Sequence, residues 1–234
     1  MLRLVLVASC IGMVPVCSRL SGEENQVVFQ DDFNRDDAAE VGNQWTSRGN
    51  VILQAGALQF EAKEEEFRPR TKRAFPVQKE GKLTVSFVMD WLRKSEGTWS
   101  FHMQLGHSEE MPRLLIYDKD LSKGIGVNLI WGGREPVNFE PAGTFGYSSS
   151  GEFKPLFVVN DLENKQSVVE DPIVTVEVDL DSGTYAVTFN GKTYPEIPFD
   201  NKVPIDTIRF ICNGCSKSGF ARSAIDDVKI MRAN

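Results

Sequence analysis

Apolar residues in this chain recur mainly at every second position, in short runs separated by clusters of Gly, Pro, Asn, Asp and Ser. A period of two is that of an extended strand, whose successive side chains leave opposite faces. No segment sustains the 3.6-residue period of an amphipathic helix. The first half predicts strands over Val27–Phe33, Gln44–Leu53, Ala57–Ala62, Arg68–Phe75, Lys82–Leu92, Thr98–Gly106 and Arg113–Tyr117. The second half predicts them over Ile125–Trp131, Phe153–Val159, Ile173–Leu180, Tyr185–Asn190, Thr207–Cys212 and Ala224–Met231. Many short strands, frequent turns and no intervening helices specify an all-β protein, a two-sheet antiparallel β-sandwich.

Alternation also assigns faces. Leu83, Val85, Phe87, Met89 and Trp91 share one side of their strand, and Thr84, Ser86 and Asp90 share the other. In the next strand Trp99, Phe101, Met103 and Leu105 oppose Ser100, His102 and Gln104. Burying one such apolar side chain contributes roughly 1.5–3 kcal/mol, so the apolar rows belong to the core. The polar rows, with Asp90, His102 and Gln104, are expected to face solvent or a ligand. Val174 to Leu180 and Tyr185 to Phe189 form a hairpin around Asp181-Ser-Gly183, and Asn190-Gly191 marks the next turn. The Gly, Pro and aromatic residues from Gly132 to Gly151 read as a long loop beside the polar face.

The start of the chain sets the compartment. Arg3 precedes an apolar run, Leu4–Val16, which gives way to small and polar residues through Ser18, Ser21 and Gly22. That layout predicts a signal peptide over residues 1–22 and a single exported domain over 23–234, secreted or periplasmic, with a lipid-modified Cys17 as the lesser alternative. The run is shorter than the roughly 18 residues of a membrane span, so no transmembrane segment is expected. Of the four cysteines, Cys212 and Cys215 remain after processing. In an oxidising compartment their spacing favours a short-loop disulfide over half a zinc site, because the chain has only two histidines to complete one.

A net charge of −7 argues against nucleic acid as a partner. The local exception, Arg68, Arg70, Lys72 and Arg73, reads most simply as a charged strand edge that resists aggregation.

Several motifs then carry a resemblance. Val28 to Arg35 (VFQDDFNR), Gly42-Asn-Gln-Trp45 and Gly56-Ala-Leu58 resemble the opening of exported concanavalin A-like lectin/glucanase domains of the LamG-like jelly-roll type. Val176 to Tyr185, Phe189 to Lys192 and Ala224 to Ile230 are similar to their late hairpin and closing strand. The resemblance implies a concanavalin A-like jelly roll with its first and last strands adjacent. It also implies a structural Ca2+ near them, for which Asp31 and Asp227 offer hard oxygen ligands.

The architecture hosts lectins, hydrolases, lyases and adhesive modules, so it leaves activity open. Glu177, Asp179 and Asp181 lie at the spacing of a retaining glycosidase carboxylate set, yet the third falls at a turn, and a charged hairpin face explains them better. His102, Gln104 and Arg70 could supply the base, amide and cation of a uronate lyase site, although a lone histidine on a polar strand face reads more simply as a surface or structural residue. Arg70, Asp90, His102, Gln104, Asn128 and Trp131, with Tyr117, are the candidates for binding an oligosaccharide or polysaccharide. The expected function is glycan binding on a concave polar face. A glycoside hydrolase or polysaccharide lyase is the first alternative, and a structural or adhesive envelope module the second.

Overall fold

The computed structural model describes residues 25–62, 68–90, 99–108, 128–133, 144–149, 152–158, 160–161, 166–167, 173–189, 191–199, 204–213 and 221–233. The expectations for the leader, Trp91, Arg113–Tyr117 and Cys215 lie outside the described residues. In chain order the first strands are β1 (Gln26–Asp31), β2 (Thr46–Arg48), β3 (Val51–Gln54), β4 (Ala57–Ala62), β5 (Arg70–Gln78), β6 (Lys82–Asp90) and β7 (Trp99–Gly106). They continue with β8 (Asn128–Gly133), β9 (Thr144–Ser149), β10 (Glu152–Val158), β11 (Asn160–Asp161) and β12 (Gln166–Ser167). The last are β13 (Ile173–Asp179), β14 (Thr184–Phe189), β15 (Lys192–Pro198), β16 (Ile205–Asn213) and β17 (Ala221–Arg232).

Two antiparallel sheets carry the fold. The eight-stranded sheet has the order β15-β14-β13-β6-β17-β4-β3, with β1 added beside β17. The seven-stranded sheet has the order β10-β9-β8-β7-β16-β5-β2, and β11 and β12 pair separately. The first and last strands are adjacent, as the resemblance implies, with Gln26 opposite Arg232 and Asp31 opposite Val228.

The alternating apolar rows meet between the sheets. Leu83, Val85, Phe87 and Met89 of β6 and Val174, Val176 and Val178 of β13 face Phe101, Met103 and Leu105 of β7 and Ile208 and Phe210 of β16, all buried. Aromatic rings cross the gap edge to face: Phe60 meets Phe101 at 5.1 Å and 82°, and Phe87 meets Phe210 at 5.3 Å and 75°. Such contacts add to the area term that holds two sheets together.

Three sequence expectations change. Gln44–Leu53 is not one strand, because β2 and β3 belong to different sheets. The chain turns at Gly49, where φ is +79° and a Cβ would sit 2.9 Å from the Pro69 Cα, so only glycine fits. The stretch Gly132–Gly151 contains β9, which pairs with both β8 and β10 and is therefore partly sheet. The basic tract is not a free edge, since β5 lies between β16 and β2 and Arg70 pairs with Arg48 on one side and Ile211 on the other.

One buried charge fastens β1 to the following loop. Asp31 accepts from the Phe33 amide at 3.0 Å, from Arg35 Nη1 at 2.7 Å and Nη2 at 3.2 Å, from Asn43 Nδ2 at 2.9 Å and from Trp45 Nε1 at 2.8 Å. Burial alone would raise its pKa, but the hydrogen bonds from Arg35, Asn43, Phe33 and Trp45 together hold the carboxyl below its ordinary value. Trp45, so anchored, packs on Phe29, Phe33 and Phe210. Nearby, Ile225 and Val228 both face the core although three positions apart, which a regular strand forbids. A β-bulge resolves this, with Asp227 at φ +49°. It sits where β17 exchanges β4 for β1 as its neighbour. Burial, opposed in part by the hydrogen bond from the Asp227 amide, and the charges of Asp227, Asp32 and Asp31 raise the pKa of Asp226.

Stability outcomes are expected for four substitutions. Phe210→Ala should cost roughly 3–5 kcal/mol in denaturant unfolding, whereas Val77→Ala, at an exposed position, should change stability by less than about 0.5 kcal/mol. Asp31→Asn should cost roughly 1.5–3 kcal/mol near neutrality. Because the folded pKa of Asp31 is depressed, its stabilisation is complete above the unfolded value of about 4 and is lost as pH falls through the folded value. Denaturation midpoints taken from pH 6 to pH 3 should therefore fall less steeply below about pH 4 in Asp31→Asn than in the wild type. Asp226 has the opposite sign: its raised pKa makes the ionised form unfavourable above that value, so Asp226→Asn should hold or raise the melting temperature at pH 7.

Candidate functional site

With the inner rows committed to the core, the chemistry available to ligands lies on the two outer faces. Asp90 does not share a face with His102 and Gln104. β6 belongs to the eight-stranded sheet and β7 to the seven-stranded one, so the two polar rows stand on opposite sides of the sandwich. Alternation fixes which residues of one strand go together, but not which sheet receives the strand.

The seven-stranded sheet brings five strands of outer-face positions into register. One row runs Arg48, Arg70, Ile211, His102, Ile130 across β2, β5, β16, β7 and β8. The next runs Thr46, Lys72, Arg209, Gln104, Asn128. Neighbouring strands in such a row are about 4.8 Å apart, and rows two residues apart along a strand are about 7 Å apart. Arg70, His102, Gln104 and Asn128 are thus brought together as the sequence suggests. Trp131 falls in a different row, opposite Phe101 of the core-facing series.

His102 and Gln104 are not open to solvent as the alternation suggested; they are 1% and 0% exposed. Arg209, which the sequence reading passed over, lies beside them at 7% exposure. Its Nε and Nη2 both donate to Gln104 Oε1, at 2.8 and 2.5 Å, so the guanidinium and the amide fix each other's orientation. Burial and the neighbouring Arg70 pull the Arg209 guanidinium down to about 10, which leaves it charged at neutral pH. Arg70 is lowered too, by burial and by Arg48 and Arg68. The available signal was the interruption of Ile208, Phe210 and Cys212 by Thr207, Arg209 and Ile211: an arginine inside an apolar run demands a partner.

The remaining sequence candidates sort differently. Asp31 is a poor calcium ligand here, because five N–H groups, two of them from a guanidinium, already occupy its oxygens. Asp227 is exposed on the bulge, and among the described residues no three His, Cys, Asp or Glu side chains are grouped to hold an ion. Cys212 is fully buried in the core, and its expected disulfide partner Cys215 lies outside the described residues. Asp179 takes the amides of Ser182 and Asp181, both at 3.0 Å, and the Ser182 bond foremost lowers its pKa. A turn-capping, ionised carboxylate on the eight-stranded sheet is consistent with a charged hairpin face. A recess of about 300 Å³ opens at the sandwich edge, lined by Val28, Phe29, Arg73 and Phe75 among others, with the Arg73 guanidinium 4.9 Å from the Phe29 ring centre. It is separate from the two polar rows.

No protein-family model matches the chain, and no curated protein matches it by sequence. Solved structures do match in shape. The carbohydrate recognition domain of Emp47p superposes with a TM-score of 0.63 at 13% identity, covering 91% of this chain and 99% of that one. An endo-β-1,3-glucanase from Pyrococcus furiosus gives a TM-score of 0.58 at 15% identity over 92% of this chain and 97% of the glucanase. A sialidase gives 0.58 at 13% identity over 88% of this chain, which spans only 18% of the sialidase. At these identities the likeness is one of fold, and it agrees with the strand order and the packed sheets: the chain has the concanavalin A-like jelly-roll fold.

Proposed function

We propose that this chain is an exported glycan-binding jelly-roll domain whose binding surface is the outer face of the seven-stranded sheet. The observation that carries the reading is the double polar row built on β2, β5, β16 and β7, in which the buried Arg209–Gln104 pair forms a rigid base beside the exposed Arg48 and Thr46 and the half-buried Arg70 and Lys72. Saccharides are bound by hydroxyl-directed donors and acceptors whose own orientation is already fixed, because preorganised groups lose little entropy on binding. Strands supply that rigidity better than loops. The carbohydrate recognition domain and the glucanase that share the fold support the reading, and the apolar run Leu4–Val16 behind Arg3 is what supports export.

A glycan array followed by calorimetry on the purified protein tests the proposal. Binding to at least one saccharide class is expected, with affinity reduced roughly tenfold or more by Gln104→Ala and unchanged by Thr175→Ala on the other sheet. An array without a single saccharide ligand, in a protein that unfolds cooperatively, contradicts it. Reducing-sugar and unsaturated-product assays on the ligands found separate binding from cleavage.

A further inference from the structure

The chain carries a net charge of −7, yet the two polar rows depart sharply from that balance. Arg48, Arg70, Lys72 and Arg209 occupy neighbouring positions on β2, β5 and β16, and none of the register positions in these rows carries a carboxylate. The flanking rows continue the pattern: Ser100, Asn213 and Gly132 on one side, and Ala74, Thr207 and Gly106 on the other. Opposed like charges on adjacent strands repel, and Arg48 opposite Arg70 is such a pair. Among the described residues, Asp31, Asp32, Asp226 and Asp227 stand at the β1–β17 junction and Glu177 and Asp179 on β13.

We propose that this face recognises an anionic saccharide, through Arg48, Arg70 and Lys72 arrayed beside the Arg209–Gln104 pair on one side of the seven-stranded sheet. The proposal rests on the glycan-binding reading above and narrows it to uronate or sulfate-bearing sugars. Two guanidinium groups on adjacent strands match the planar fork of a carboxylate or sulfate, whereas a neutral glycan would leave their mutual repulsion unrelieved. Burial and the charges of Arg48 and Arg68 lower the pKa of Arg70, and burial and the charge of Arg70 lower that of Arg209, a crowding of cations that an anion would relieve. The row spacing of about 7 Å and the run of cations along it suit an extended chain with repeated charge better than a single free anion. Gln104 and His102, further along the same rows and buried, back this cationic surface from beneath, and the ligand is met by Arg48, Arg70, Lys72 and Thr46.

Calorimetry on the purified protein, with four probes, decides the matter: a neutral β-1,3-glucan oligosaccharide, an oligogalacturonate, a sulfated oligosaccharide and a length-matched single-stranded oligonucleotide. The oligogalacturonate, the sulfated oligosaccharide or both should bind, and the affinity should fall as salt is raised from 50 to 300 mM. Arg70→Gln and Arg48→Gln should each weaken that binding roughly tenfold, Arg70→Lys should restore part of it, and all three variants should keep the wild-type melting temperature. Binding of the neutral glucan alone, insensitive to both glutamine variants, overturns the anionic assignment while leaving glycan binding intact. Failure of all three saccharides overturns both. An oligonucleotide that binds as tightly as the acidic sugars overturns the assignment to saccharides.

Discussion

The whole architecture depends on burying one side of every long strand. Phe60 and Phe87 from one sheet and Phe101 and Phe210 from the other interlock at ring distances of 5.1 and 5.3 Å. Those contacts fix the rotation of β6, β7 and β16 about their own axes. A one-residue slip would turn Phe101 outward and His102 inward, with a loss no turn could offset. Everything the outer faces present is therefore a consequence of where the aromatic residues go.

Two features at the β1–β17 junction show the same constraint at work. Ile225 and Val228 both point inward, and the chain accommodates them with a bulge and a left-handed Asp227 instead of exposing either one. Across the same junction, opposite Val228, Asp31 accepts five hydrogen bonds and so draws Trp45 against the core. Where the fold resemblance leads one to expect a divalent cation, the Arg35 guanidinium supplies the positive charge.

Much of this could be read from the residues before any coordinates. The rows Leu83 to Met89 and Phe101 to Leu105, the hairpin at Asp181 to Gly183 and the adjacency of the terminal strands follow from period two and from motif likeness. What could not be read is pairing between distant segments. Asp90 and His102 look alike by alternation yet lie on different sheets, because nothing local says that β6 and β7 part company. Gln44–Leu53 looks continuous until Pro69 crowds Gly49. β9 and β15 escape notice because Gly146 and Pro195 dilute their alternation. Arg209 hides in an apolar run whose outer face becomes polar only when Gln104 is brought beside it by a partner 105 residues away in sequence.

The account stands on the claim that ligands are met on the outer face of the seven-stranded sheet, where Arg209 and Gln104 orient each other. The most direct measurement is an NMR titration of isotope-labelled protein with its best saccharide ligand, following the Arg209 Nε–H and Gln104 side-chain amide signals. The account predicts shifts at these two signals and at the β5, β7 and β16 backbone amides, with the β13 and β14 amides unmoved. Shifts confined to β13, β14 and the outer side of β6 would place the ligand on the other sheet and contradict it.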